Sequence, residues 1–166
     1  MLYKTHAHPF APIMDRECRF LILGSFPSVK SRENAFYYGH PQNRFWKVMA
    51  AVVDDDLPQS VGEKKAFLLR HHIALWDVIA SCDIVGSGDS SIRNAVPNDL
   101  RMILEKAKIT QVFLNGQTAA KLYKKHLAQC TIPYTVLPST SPANAAWSLE
   151  KLTAAWKMEI IPKMQD

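Results

Sequence analysis

Two stretches of the chain concentrate side chains able to stack on, hydrogen-bond to or orient a flat polar ligand. The first, GSFPS at residues 24–28, follows an apolar run and offers the Ser25 hydroxyl and the Phe26 ring, with Pro27 stiffening the exit. Phe26 either packs into the core or projects over a crevice, where stacking on a planar ring is worth roughly 1–3 kcal/mol. The second, FYYGHPQNRFW at residues 36–46, supplies the flat faces and hydroxyls of Tyr37 and Tyr38 beside Phe36. Asn43 stands at the start of a helical pattern, where an amide either caps the helix or, having both a donor and an acceptor, holds a water or reads a ring edge. Arg44 is free to reach a phosphate, and Phe45 and Trp46 pack the helix inward. His40 has no carboxylate or cysteine near it in sequence and reads as a turn residue.

Further along, LPSTSPANAAW at residues 137–147 places Ser139, Thr140, Ser141 and Asn144 where they can donate to phosphate oxygens. Pro138 and Pro142 stiffen that loop, which suits a clamp or wedge and equally suits a hydroxyl-rich helix cap. LNGQTA carries Asn115–Gly116, a common turn dipeptide. Lys121, Lys124, Lys125 and His126 form a basic helix face or simply a solvated one. His6 and His8 lack a third metal ligand in sequence and read as part of a flexible terminus. Cys18, Cys82 and Cys130 are scattered and odd in number, which argues against a disulfide framework and against a CxxC-type metal or iron–sulfur site. Nucleotide-binding glycine motifs, zinc-protease and serine-hydrolase signatures are absent.

The elements that must position these residues are legible as alternation. Short apolar runs at Arg19–Ser25, Ile73–Ile79, Gln111–Gly116 and Tyr134–Ser139 have strand length and are apolar on consecutive positions, as in strands covered on both faces. Helical patterns lie at Asn43–Val53, Gly62–His72, Gln117–Gln129 and Asn144–Lys157, with another opening at Pro97 and carrying Asp99 in its first turn. The expected fold is α/β, a three-layer α/β/α sandwich around a mainly parallel four-stranded sheet, with residues 1–166 as a single domain. Ligands of such sheets bind beyond the carboxyl ends of the strands. The segments GSFPS, WDVIASCD, LNGQT and LPSTSPAN should therefore converge on one site.

At 166 residues, 48% hydrophobic and 21% charged, the composition is that of a globular protein with a sizeable core. No apolar run is long enough to span a membrane, and the N-terminus lacks a signal-peptide pattern, so a cytoplasmic location is expected. A net charge of +5 favours a polyanionic partner.

Taken in order, LILGSFPS, FYYGHPQNRFWKV, VFLNGQTA and LPSTSPANA resemble the uracil-DNA glycosylase superfamily over Arg19 to Trp156. GSFP followed by HPxNRFW is most similar to its hypoxanthine-DNA glycosylase branch. The mismatch-specific uracil/thymine branch carries a water-positioning Asn in the first loop, where this chain has Phe26. The resemblance implies that Asn43 takes the catalytic role, positioning the water. It further implies a monofunctional enzyme, acting as a monomer on DNA with deaminated bases, with no metal, iron–sulfur cluster or other cofactor. On that basis Ser25, Phe26, Tyr38, Trp76, Asp77 and Asn115 are expected to bind the everted base. Phe26 would stack on it, Tyr38 and Trp76 would wall the pocket, and Asp77 or an amide would read its N–H/C=O edge. Arg44, Ser139, Thr140, Ser141, Pro142 and Asn144 are expected to grip the DNA backbone. A non-catalytic binder of damaged nucleic acid and a nucleoside hydrolase are the competing readings.

Overall fold

The computed structural model describes residues 3–33 and 36–165. In chain order its elements are β1 (Lys4–Ala7), β2 (Phe20–Gly24), α1 (Val29–Glu33), α2 (Phe45–Val53), α3 (Val61–Arg70), β3 (Ile73–Asp77) and β4 (Ile79–Ile84). These are followed by β5 (Arg93–Pro97), α4 (Arg101–Leu104), β6 (Gln111–Asn115), α5 (Gln117–His126), β7 (Tyr134–Leu137) and α6 (Leu149–Met164).

The expected strands form a four-stranded parallel sheet in the order β3-β2-β6-β7. FLILG, IALWD and QVFLN are buried at every position and so read as unbroken apolar runs; β2 and β6 are the inner strands, and the edge strand β3 is covered by Ile13, which exchanges backbone hydrogen bonds with Leu75 at 3.0 and 2.9 Å. Successive strand side chains point to opposite faces. Phe20, Ile22 and Phe113 accordingly share one apolar gap with Met49 of α2 and with Ile160 and Met164 of α6. The chain leaves β2 for β3 on one side and leaves the neighbouring β6 for β7 on the other, so the two connections diverge and a crevice opens between the carboxyl ends of β2 and β6.

A second, antiparallel sheet of order β1-β4-β5 lies outside the sequence-based expectation. The strand expected at Ile73–Ile79 ends at Asp77, and after Val78 the chain enters β4. Val78 and Ile79 donate their N–H groups to the carbonyls of Gly24 and Ser25 at 2.8 and 3.2 Å, so the junction stays bonded to the exit of β2. The helix expected to open at Pro97 starts later. Pro97 ends β5, and the buried Asn98 braces the junction by donating its Nδ2 to the Asp77 carbonyl at 2.8 Å. Its backbone N–H is held by the same junction, donating to the Val78 carbonyl at 2.7 Å.

The helix expected from Asn144 begins instead at Leu149, where the Ser148 hydroxyl accepts the Lys151 N–H at 3.1 Å. Residues 139–148 remain a loop because their carbonyls are claimed by Arg44, as described below. Two glycines are demanded by space. A Cβ on Gly24 would lie 2.4 Å from Asp77 Oδ1, and one on Gly116 would lie 3.0 Å from Ser139 Cβ at a backbone φ of +101°. No helix among the described residues is long and apolar enough to cross a membrane.

Candidate active site

The carboxyl ends of β2, β3, β6 and β7 meet at one cleft of about 240 Å³. That is below the roughly 300–1,000 Å³ of sites that bury drug-sized ligands, and is the scale of a single ring system. Gly24 to Ser28 form one wall, Tyr37, Tyr38, His40 and Asn43 a second, and Ser139 to Ala143 a third; Asp77, Asn115, Ser31 and Ser87 complete the lining. The strand-end segments expected to converge are thus brought together, with only Asp77 of WDVIASCD contributing.

Phe26 satisfies both of its readings at once. It is 7% exposed and part of the core, yet it lines the cleft. The Arg32 guanidinium lies over its ring, 5.6 Å from the centroid. Tyr38 stacks on Phe45 with centroids 4.2 Å apart and planes at 20°, and holds a left-handed backbone at φ +54°. A bulky residue in that conformation costs roughly 1–2 kcal/mol, a strain accepted here beside the cleft.

Asn43 is locked by its oxygen. Its Oδ1 accepts the Phe45 N–H at 2.9 Å, a helix-capping bond, and the Thr140 hydroxyl at 3.0 Å. Thr140 in turn accepts from Asn115 Nδ2 at 3.1 Å, and Asn115 Oδ1 accepts the Thr140 N–H at 3.1 Å. Asn115 Nδ2 also reaches the Tyr38 hydroxyl at 3.2 Å. The backbone donors fix which end of each amide is oxygen. Among the described residues the Asn43 amide nitrogen therefore remains as its unengaged polar group, on a side chain that lines the cleft.

Four residues expected to contact ligand do something else. Arg44 is not free to reach a phosphate: its guanidinium donates to the carbonyls of Thr140 (3.4 Å), Ser141 (2.9 Å), Asn144 (3.2 Å) and Trp147. A planar fork of donors meeting several carbonyls pins the loop from residue 140 to 147. Thr140 is 0% exposed, and its hydroxyl serves the two asparagines rather than a backbone phosphate. Asn144 turns inward, donating Nδ2 to the Ser139 carbonyl at 2.9 Å. Trp76 is 5% exposed and does not line the cleft, since strand alternation sends it to the face opposite Asp77. Ser25, Ser139, Ser141 and Pro142 do line it. The Ser139 and Ser141 hydroxyls accept the N–H groups of Ser141 and Ala143, each at 3.1 Å, which shapes the lip of the cleft.

His8, expected in a loose terminus, belongs to the site instead. Its Nε2 lies 2.7 Å from Asp77 Oδ2, both side chains being almost fully buried. No local pattern announces it. β1 pairs with β4, the His8 N–H donates to the Ala80 carbonyl at 2.6 Å, and β4 begins two residues after Asp77, so topology alone brings the two together. Tyr37 is more than the flat face its sequence suggests. Its hydroxyl donates to the Ala11 carbonyl at 2.9 Å, and burial holds its ionisation far above the ordinary range.

A family model for the uracil DNA glycosylase superfamily matches residues 11–165. A protein of Methanosarcina acetivorans named hypoxanthine DNA glycosylase is 36% identical over 141 residues, covering 84% of this chain and 89% of that protein. One of the same name from Methanosarcina barkeri is 31% identical over 150 residues, covering 89% and 93%. A solution NMR structure from M. acetivorans, provisionally described as a uracil DNA glycosylase, superposes with a TM-score of 0.78 at 29% identity, covering 95% of this chain and 97% of that one. The protein belongs to the uracil DNA glycosylase superfamily.

Proposed function

We infer that this chain is a DNA glycosylase that hydrolyses the N-glycosidic bond of a deaminated base, hypoxanthine foremost and uracil second, leaving an abasic site. One observation carries the reading. A cleft the size of one ring system gathers an aromatic face, a buried carboxylate and an oriented carboxamide at the strand ends, in a chain similar to proteins named hypoxanthine DNA glycosylase.

A base inside a duplex is out of reach of such a cleft, so it must be everted. Phe26 then stacks on it, with Arg32 backing the ring. Hypoxanthine and uracil both present an N–H beside a C=O, whereas adenine presents an acceptor nitrogen beside an amino group. The acceptor-only carboxylate of Asp77 accepts that N–H and is left unpaired against adenine, the kind of mismatch that gives large discrimination.

Bond cleavage develops positive charge on the sugar and negative charge on the departing base. Asn43 is the catalytic residue of this reading. With its oxygen engaged, it presents amide hydrogens, and a water accepting one of them keeps a lone pair for the sugar C1′. The Ser139, Ser141 and Pro142 lip borders the same opening and would press on the strand as the base leaves the stack.

The test is incubation with duplexes carrying a single inosine or a single uracil, followed by alkali. Strand breaks at inosine, with slower breaks at uracil, are expected. An intact inosine strand at stoichiometric protein would overturn the reading.

A further inference from the structure

Behind the cleft, the carboxylate of Asp77 does not stand alone. Its Oδ2 faces His8 Nε2 at 2.7 Å, and its Oδ1 lies against Gly24, where an added Cβ would approach to 2.4 Å. The imidazole itself sits in an aromatic box of Phe10, Phe26 and Tyr37, with ring centroids 5.4, 6.0 and 5.7 Å away. Its other nitrogen, Nδ1, has two partners on one residue: the Phe10 N–H at 3.1 Å, from which it can accept, and the Phe10 carbonyl at 2.9 Å, to which it can donate. In the Nε2–H tautomer Nδ1 accepts the Phe10 N–H, in the doubly protonated ring it donates to the Phe10 carbonyl, and in both an Nε2–H faces the Asp77 carboxylate. Among the described residues no third His, Cys, Asp or Glu joins the pair to make a metal site.

We propose that His8 is a positioning residue for base recognition, its Nε2–H holding Asp77 in one rotamer as an acceptor so that the pocket requires an N–H on the ring edge it reads. This rests on the glycosylase reading above and deepens it, naming what enforces selectivity for the lactam base over the amino base. The physical need is specific. A buried carboxyl that lost its donor could rotate or take up a proton, and a protonated carboxyl offers an O–H that would suit the acceptor nitrogen of adenine. His8 removes that option from beneath, without touching the ligand. The antiparallel sheet thereby acquires a task in the site, since β1 and β4 exist beside the cleft to bring His8 under Asp77.

Hypoxanthine and adenine are near-isosteric, so the experiment titrates both free bases into the full-length protein and into His8→Ala and His8→Gln, reading affinity by chemical-shift perturbation. Wild type should prefer hypoxanthine. His8→Ala should lower the hypoxanthine-to-adenine affinity ratio by about tenfold or more, the order expected for one hydrogen bond to a charged group. His8→Gln, which keeps an N–H donor on a side chain of similar reach, should restore most of the ratio. A His8→Ala ratio equal to that of wild type, a His8→Gln ratio as low as that of His8→Ala, or no preference by wild type would overturn the proposal. An isosteric ratio is insensitive to a general loosening of the fold, and should His8→Ala fail to fold, His8→Leu, which fills the space without a donor, takes its place and should lower the ratio as much. Inosine duplexes assayed in parallel separate the two claims: failure of wild type to cleave them removes the enzymatic reading, while the base-affinity ratios still decide the role of His8.

Discussion

At the scale of single residues, Asn43 is defined by what holds it. The Asn115–Thr140–Asn43 relay runs in one direction: amide N–H to hydroxyl oxygen, hydroxyl hydrogen to amide oxygen. Thr140 is the fully buried member of the three and its hydroxyl is engaged by both asparagines, so its removal acts on their orientation. Thr140→Val keeps the shape and leaves two buried polar groups short of a partner, a loss of about 1–3 kcal/mol of stability. Turnover of inosine duplex should fall roughly tenfold or more as Asn43 gains freedom, with little change in duplex affinity, because a poorly oriented group loses rate before binding. Comparing kcat and Kd for this variant checks it; an unchanged kcat would mean that the relay is ornamental. Asn43 itself is visible in the sequence as both cap and candidate catalyst. The two roles are compatible, the oxygen capping and the nitrogen left over.

Among the elements, the loop of residues 139–148 owes its form to a residue almost a hundred positions earlier. Arg44, a phosphate ligand by its sequence context, gathers four carbonyls of that loop at the start of α2. An arginine beside serines and an asparagine looks like an anion site in any one-dimensional reading, and only the pairing of α2 with α6 reveals that its partners are backbone oxygens. Arg44→Ala should speed amide hydrogen exchange across residues 139–148 while the four parallel strands keep their protection. Unaltered exchange in the loop would refute this assignment. α2 and α3 are tied at their far ends by Asp55, which accepts from Arg70 at 2.8 and 3.1 Å and from His71 at 2.8 Å. Hydrogen bonds from His71 and then Arg70 hold this carboxyl well below the usual carboxylate range. A depressed folded-state pKa contributes stability above the unfolded pKa, and that contribution is lost as pH falls through the folded one. Asp55→Asn should therefore lower Tm slightly at pH 7, with the deficit shrinking below about pH 4. A Tm deficit that persists undiminished into acid would contradict the pairing.

For the molecule as a whole, the parallel sheet and the place of the cleft are legible in the sequence because buried strands announce themselves as unbroken apolar runs, as in FLILG and QVFLN. The antiparallel sheet is not. KTHA has no apolar pattern, RNAVP ends on a proline that also suits a helix start, and IASCDI follows β3 after one residue and so looks like the tail of a strand. What is lost with it is His8, whose significance lies in a contact across 69 positions of sequence. The net charge of +5 fits a polyanionic partner at this scale. The central claim is that the cleft accepts an everted deaminated base and that the Asn43 carboxamide directs hydrolysis there. The most direct measurement is single-turnover release of hypoxanthine from a duplex carrying one inosine, by wild type and by Asn43→Ala. The account predicts efficient release by wild type, and release slowed about 100-fold or more by the variant, which still binds the duplex. Release at equal rates by both proteins, or by neither, would contradict it.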